Sequence, residues 1–285
     1  MTSIREIAQV IEPQSVMEGA GVRLKRSIAG WALDYLDPFL LFDHFGSDNP
    51  SDYLPGFPMH PHRGIETVTY MLAGKVTHRD SLGNAGTIGA GDVQWMTAGR
   101  GIMHEEMPQP VNGTLRVAGF QLWVNLPAKL KMSRPRYQEY LAAAIPEARV
   151  GDGVRIRVVA GAVAGVAGPV TEIAADPTYL DIRLGAGVSY AHPVPAGHTA
   201  FAYLFEGAAA FGATGQSLAG PELIVFADGD MVQARAGGAG GRFLLVSGKP
   251  LGEPIARYGP FVMNTRQEIL QALADLQNGT FVTAD

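Results

Sequence analysis

The sequence predicts an all-β protein built as two barrel or sandwich domains, and three observations carry that expectation. Runs rich in β-branched and aromatic residues recur between turns: Thr67 to Leu72 before Gly74, Val93 to Thr97 after Gly89-Ala90-Gly91-Asp92, and Phe120 to Leu126 before Pro127. Short strands at intervals of about 8–12 residues indicate a sandwich or barrel. Glycine (36) and proline (19) together make about 19% of the 285 residues, against about 12% on average, while charged residues are 17% against roughly 25%. That balance disfavours long amphipathic helices, which need charged outer faces, and is the opposite of the signature of disorder. Finally, 285 residues at roughly 150 per domain give about two domains.

Taken in order, the start Met1-Thr2-Ser3-Ile4-Arg5-Glu6 lacks a basic segment leading into an apolar one, so no signal peptide is expected. The strand-like runs follow. Arg136 to Ala144, between Pro135 and Pro146, is expected to be a short linking helix. Near Pro146 the composition shifts. Five of the seven histidines and all three tryptophans precede it, and the chain after it is enriched in Ala, Gly and Val. The expected domains are therefore residues 1–145 and 146–285. A charge-poor stretch from Val158 to Val170 is too short to span a bilayer, and Leu184 to Phe205 is broken by His192, Pro193, Pro195 and His198. The chain closes with a C-terminal helix. Thr265-Arg266-Gln267-Glu268 has capping-box spacing, Ile269, Leu270, Leu273 and Leu276 form an apolar face for packing on a sheet, and Gly279 ends it.

The two halves carry a faint repeat. Tyr70-Met71-Leu72-Ala73-Gly74 resembles Tyr203-Leu204-Phe205-Glu206-Gly207 at an offset of 133, and Gly91-Asp92-Val93 resembles Gly229-Asp230-Met231 at an offset of 138.

Net charge is −5, and the densest basic clusters, Arg23-Leu24-Lys25-Arg26 and Lys129-Leu130-Lys131, are short. Direct nucleic-acid binding, which needs a dense cationic surface, is not expected. There is no cysteine, so disulfides, thiolate catalysis and Cys-ligated zinc are excluded. Any metal must be held by histidine and carboxylate. A soluble, cytoplasmic protein with no membrane partner is expected.

The chemistry concentrates in His60-Pro61-His62-Arg63-Gly64-Ile65-Glu66 and Gly101-Ile102-Met103-His104-Glu105-Glu106. On a strand, residues i and i+2 share a face, roughly 6.6 Å apart, and neighbouring strands lie about 4.8 Å apart. His60 with His62, facing His104 with Glu106, could therefore gather three imidazoles and a carboxylate around one point. A single His-X-His is commonly a surface or packing feature; the second even-spaced pair is what makes a metal site of it. Such a set suits Fe, Mn, Co, Ni or Cu and leaves open positions for substrate or O₂. Closed structural zinc more often uses cysteine. Glu105 should point away. Glu106 shares the face of His104 and is favoured as the fourth ligand, with Glu66, four residues after His62, as its rival. His44 and His78 read as loop or core residues, and His192 and His198 as turn residues. Phe57, Trp95 and Trp123 could line a pocket for a planar molecule or simply fill a β core. Arg63 and Arg100 could orient an anion or hold loops by salt bridges.

These residues resemble a known family. The run from His60 to Gly74 looks like the first motif of the pirin family within the cupin superfamily, and Gly91 to Pro108 looks like its second. Gln121 to Pro127, Tyr137-Gln138-Glu139 and Gly252 to Thr265 extend the resemblance over nearly the whole chain. It implies two cupin-type β-barrel (jelly-roll) domains set face to face, with few short helices and a metal site in the N-terminal domain. The family's ligands fall on His60, His62, His104 and Glu106, with Fe(II) the expected metal and Mn, Co, Ni, Cu or Zn as substitutes. Adding the repeat offsets lands on Pro193, Pro195, Thr199, Arg242 and Leu244, so the C-terminal domain is expected to lack ligands.

The resemblance implies one of two roles. One is a quercetin 2,3-dioxygenase-type enzyme acting with O₂ on a flavonol or another enolic compound, with Glu106 as general base. The other is a redox-sensitive iron protein that binds a transcription factor or a metabolic enzyme. A monomer is expected.

Overall fold

A computed structural model describes residues 3–111 and 113–282. Met1 and Thr2, where the leader expectation begins, lie outside the described residues. The first half holds strands β1 (Ile7–Ile11), β2 (Gln14–Glu18), β3 (Val22–Ile28), β4 (Phe39–Ser47), β5 (Phe57–His62) and β6 (Ile65–Ala73). It continues with β7 (Lys75–Asp80), β8 (Ala85–Gly89), β9 (Val93–Thr97), β10 (Ile102–Gln109), β11 (Val117–Asn125) and β12 (Arg136–Tyr140). The second half holds β13 (Glu147–Arg149), β14 (Val154–Ala160), β15 (Ala162–Val163), β16 (Val166–Ala167), β17 (Thr178–Leu184) and β18 (Ser189–Pro193). Then come β19 (Thr199–Phe211), β20 (Gln216–Ala219), β21 (Glu222–Phe226), β22 (Met231–Gly248), β23 (Ala256–Tyr258), β24 (Phe261–Met263) and the helix α1 (Arg266–Gln277). The protein is all-β, with two jelly-roll cupin domains and a single α-helix among the described residues.

The chain divides into two compact units that exchange their ends. One comprises Met1–Pro13 and Ala143–Pro250, the other Gln14–Ala142 and Leu251–Asp285. The break at Ala143 is close to the composition shift, and Met1–Pro13 group with the second half and Leu251–Asp285 with the first. β1 pairs with β21, Ile7 opposite Phe226, and the C-terminal segment joins the unit that holds the first half's strands.

In the histidine-bearing unit, a seven-stranded sheet runs β12-β9-β6-β11-β4-β3-β2 and a four-stranded sheet runs β5-β10-β7-β8. Strand pattern sets which side chains face in. β10 alternates strictly, with Ile102, His104, Glu106 and Pro108 buried and the residues between them half-buried. β6, central in its sheet, is buried from Ile65 to Met71. Residues Arg136 to Tyr140 form an edge strand on β9 rather than a helix, and only Ala142–Ala144 make a 3₁₀ turn. Pairing decides this, with Arg136 opposite Thr97 and Tyr140 opposite Val93 along the sheet edge.

The C-terminal segment is fastened here. The β23–β24 hairpin lies against the chain beside Arg63 and Gly64, where Val262 N donates to Arg63 O at 3.1 Å. Gly64 has φ +80°, and a Cβ there would collide with the Val262 carbonyl oxygen. The capping box of α1 is formed as expected, with Thr265 and Glu268 satisfying each other's backbone N–H groups. Its buried face is Ile269 and Ala272 with Leu273 beside them, against Phe261, Met263 and Phe281; Leu270 and Leu276 face out.

The other unit has one nine-stranded sheet, and its interior is filled by a continuous apolar cluster including Ile156, Leu180, Ile182, Leu204, Phe211, Phe243 and Leu245. The internal repeat takes a different register from the one the sequence suggested. Tyr70 and Tyr203 do lie on corresponding strands, because β6 is flanked by β9 and β11 just as β19 is flanked by β21 and β22. Gly229-Asp230, however, leads into β22, whose first half pairs with β18 as β10 pairs with β5. The counterpart of β9 is β21, so the 138-residue offset compares strands that are not equivalent. The inward positions matching the histidine pairs are Tyr190 and His192 on β18 and Val232, Ala234 and Ala236 on β22. His192 is thus a buried strand residue, not a turn residue, with Nδ1 3.1 Å from the Tyr190 hydroxyl. His198 does lie in a turn, its N–H donating to Pro195 O.

Candidate metal centre

Antiparallel pairing of β5 with β10 sets His104 opposite His60, with Ile102 opposite His62. One ring nitrogen from each of His60, His62 and His104 lies within 4.8 Å of the others, the one such set of three His, Asp or Glu groups among the described residues. His62 and His104 are buried and His60 is half-buried. His60 Nδ1 lies 2.9 Å from Pro58 O, which fixes the tautomer that turns its Nε2 lone pair inward. That Nε2 is 3.1 Å from His62 Nε2. Two nitrogens each about 2.1 Å from a common ion at a right angle are about 3.0 Å apart.

Burial and the neighbouring His60 push His62 down to about 3, and burial with His62 and His60 beside it holds His104 well below the ordinary imidazole value. Both rings are therefore neutral at neutral pH, the form that binds a metal. Both ring nitrogens of His104 are buried without a hydrogen-bond partner. Buried polar atoms are rarely left so, and orphaned nitrogens on converging rings are what a cation satisfies. The donors fit a divalent first-row metal held by imidazole.

Glu106 points inward, as strand parity requires, and Glu105 points away into an ion pair with Arg79 at 2.6 Å. The Glu106 carboxylate nevertheless lies outside the three-histidine set. Pairing with β5 shifts register between His104 and Glu106, setting Glu106 opposite Phe57. Its oxygens instead accept from Thr69 Oγ1 at 2.9 Å and Gln121 Nε2 at 3.2 Å. The rival Glu66 is taken up elsewhere: it accepts from Trp95 Nε1 at 3.1 Å and Thr97 Oγ1 at 2.8 Å, and burial raises its pKa.

His60, His62, Glu106, Thr69 and Gln121 open onto a cavity of about 530 Å³ contained within this one unit. Phe57 and Trp123 line it, the Trp123 ring centroid 5.0 Å from that of His62. Trp95 does not; it is core. Arg63 is also structural, bonded to Arg100 O and to Asp275 at 2.6 Å and stacked on Phe281. His78 sits on β7 between Glu139 and Gln94, each at 2.8 Å, and His44 packs on Phe120. The sequence did not single out Arg26, Asp43 or Arg257 as cavity residues. Asp43 holds Arg26 through both oxygens at 2.8 and 2.7 Å. The alternation of β3 carried a signal for Arg26, which follows buried Leu24 at an even step. Nothing local marked Arg257.

The Pirin family model matches residues 21–124, and the model of the Pirin C-terminal cupin domain matches residues 179–282. A Pirin-like protein of Caulobacter vibrioides is 46% identical over 281 residues, covering 98% of this chain and 99% of its own length. Human Pirin is 41% identical over 286 residues, covering 98% and 94%. A crystal structure titled quercetin 2,3-dioxygenase from Acinetobacter baumannii superposes with a TM-score of 0.89 at 36% identity, covering 99% of both chains. With both halves matched in order and its relatives aligned end to end, the chain belongs to the pirin family of the cupin superfamily.

Proposed function

We propose that the chain is a metal-dependent dioxygenase of the quercetin 2,3-dioxygenase type. In this reading His60, His62 and His104 hold one divalent metal, Fe(II) by the likeness to pirins with Mn, Co, Ni, Cu or Zn as substitutes, and Glu106 is the general base. The observation that carries it is the convergence of three imidazoles, both ring nitrogens of His104 without a hydrogen-bond partner, beside a cavity of about 530 Å³. The likeness to a structure titled quercetin 2,3-dioxygenase supports the substrate class.

A bound divalent metal supplies Lewis acidity toward an enolic hydroxyl and a redox centre able to meet O₂. The chain's own residues do the rest. Trp123 and Phe57 give the wall aromatic surface suited to a flat ring, and Leu24, Leu41, Phe45 and Val76 add apolar surface. Glu106 accepts the enolic proton onto a carboxylate oxygen. Thr69 and Gln121 aim that carboxylate.

The test joins elemental analysis with aerobic turnover of a flavonol panel. His→Ala at 60, 62 or 104 abolishes metal and turnover together. Glu106→Gln lowers turnover by about 10²–10⁴ while keeping metal. Loss of metal in that variant makes Glu106 a fourth ligand instead, and full turnover removes its role as base. A metal-loaded protein that turns over no flavonol, yet captures a protein partner in one iron oxidation state only, supports the regulatory reading.

A further inference from the structure

Two guanidinium groups line the cavity, and they differ in one respect. Arg26 is saturated: Asp43 takes Nε and Nη2 at 2.8 and 2.7 Å, and Glu18 takes Nη1 at 2.6 Å. Arg257 is not. It is an exposed residue of β23, brought to the cavity by the returning C-terminal segment, and among the described residues it makes a single hydrogen bond, from Nη1 to Leu40 O at 3.2 Å. No carboxylate among the described residues forms an ion pair with it within 4.0 Å; of the acids whose charge reaches it, Asp34, Asp43 and Glu18, the last two are engaged by Arg26. Its Cζ sits 5.3 Å from the centroid of Trp123, whose ring is nearly perpendicular to that of His62 at 5.0 Å. Trp123 therefore neighbours both the metal-binding cluster and this cation.

Charge points the same way. The ionisable acids and bases lining the cavity, histidines aside, are Glu18, Asp43 and Glu106 against Arg26 and Arg257. A divalent ion on the three histidines turns that balance to one net positive charge, the complement of a monoanion. A guanidinium presents planar, paired N–H donors that match a carboxylate.

We propose that Arg257 is the anion-recognition residue of this cavity, and that the substrate is a planar enolic compound bearing a second, anionic oxygen group, which docks on Arg257 while its ring lies along Trp123. This rests on the reading of the site as the enzyme's substrate pocket. It is tested by binding rather than turnover. The full-length, metal-loaded protein is titrated without oxygen, by tryptophan fluorescence, against a flavonol carrying a ring carboxylate and against the matching carboxamide. The wild-type protein binds the carboxylate at least ten-fold more tightly. Arg257→Met, of similar length and uncharged, brings the ratio of the two affinities to near one at equal metal content, and Arg257→Lys restores part of it. A preference that survives in Arg257→Met, or a wild-type protein that binds neither compound or both alike, overturns the assignment. Loss of the preference in a protein that turns over no flavonol leaves the anion site standing and removes the dioxygenase. Flavonol turnover by a wild-type protein that shows no carboxylate preference does the reverse.

Discussion

Replacing Lys131 with methionine tests how the metal-ligand loop is held. The residue is 1% exposed, and its ammonium donates to Gly64 O at 2.9 Å, Asn125 Oδ1 at 2.7 Å and Val262 O at 2.8 Å. It thus ties the residue two positions after His62 to the C-terminal hairpin. A hydrogen bond from a charged group contributes roughly 1.5–3 kcal/mol, so three contribute about 5–9. Burial works against them, lowering the lysine from 10.5 to about 8, equivalent to roughly 3 kcal/mol. Methionine keeps the length and apolar packing but leaves three buried acceptors without donors. The net loss is about 2–5 kcal/mol, or about 5–15 °C in Tm for a chain of this size. Thermal unfolding followed by circular dichroism reads it, with the exposed neighbour Lys129→Met unchanged as control. The wild-type advantage should also grow between pH 8 and about 10.5. There the unfolded chain holds a proton that the folded one has released, so stability rises with pH. A Lys131→Met protein as stable as the wild type would mean that relief of desolvation outweighs all three bonds, and would refute the reasoning.

Chelation should lower Tm, because a metal at a thousand times its Kd contributes about 4 kcal/mol to the folded state. His104→Ala should melt at one temperature with or without added metal, as differential scanning fluorimetry reads. His192 should make the other unit acid-sensitive. Burial lowers it to about 4 from 6.5, so below pH 6.5 the unfolded chain takes up a proton that the folded chain refuses, and stability falls. The loss is about 2 kcal/mol by pH 5, and His192→Gln should remove that part of the slope in paired urea titrations. Thr265→Ala, which breaks the capping box, should cost about 1 kcal/mol and lower Tm by a few degrees. Gly64→Ala should cost more than any of these, because its backbone turn and the contact with Val262 O both exclude a Cβ. A soluble expression yield close to wild type for that variant would contradict the packing described.

The histidine cluster was legible because strand parity is a local rule: residues two apart share a face, and two such pairs can meet across one ladder. The position of the Glu106 carboxylate was not, because a register shift between His104 and Glu106 is set by pairing with a strand some forty residues earlier. The strand at Arg136 was misread because a five-residue edge strand with charged and aromatic alternation has too little apolar period to tell from a helical turn. The partners of β1 and β24 lie about two hundred residues away, beyond any periodicity. Buried charges were hidden for the same reason. Lys131 looks like one of a short basic pair, and only the fold reveals three acceptors converging on it. His192 was misplaced because Pro193 and Pro195 beside it read as a turn, whereas the strand runs through Pro193 in its pairing with β22.

The exchanged ends have a consequence for how the protein comes into being. A ribosome that has reached residue 142 has made all three clustered histidines, but not the hairpin and helix that brace the loop behind His62. That unit waits for Leu251–Asp285, which are made only after Ala143–Pro250 of the other unit. β1, among the first strands made, waits for β21. Neither half can be expressed alone by dividing the gene at its middle without stripping one element from each. A tag, truncation or frameshift near the C-terminus therefore acts on chemistry encoded near the beginning.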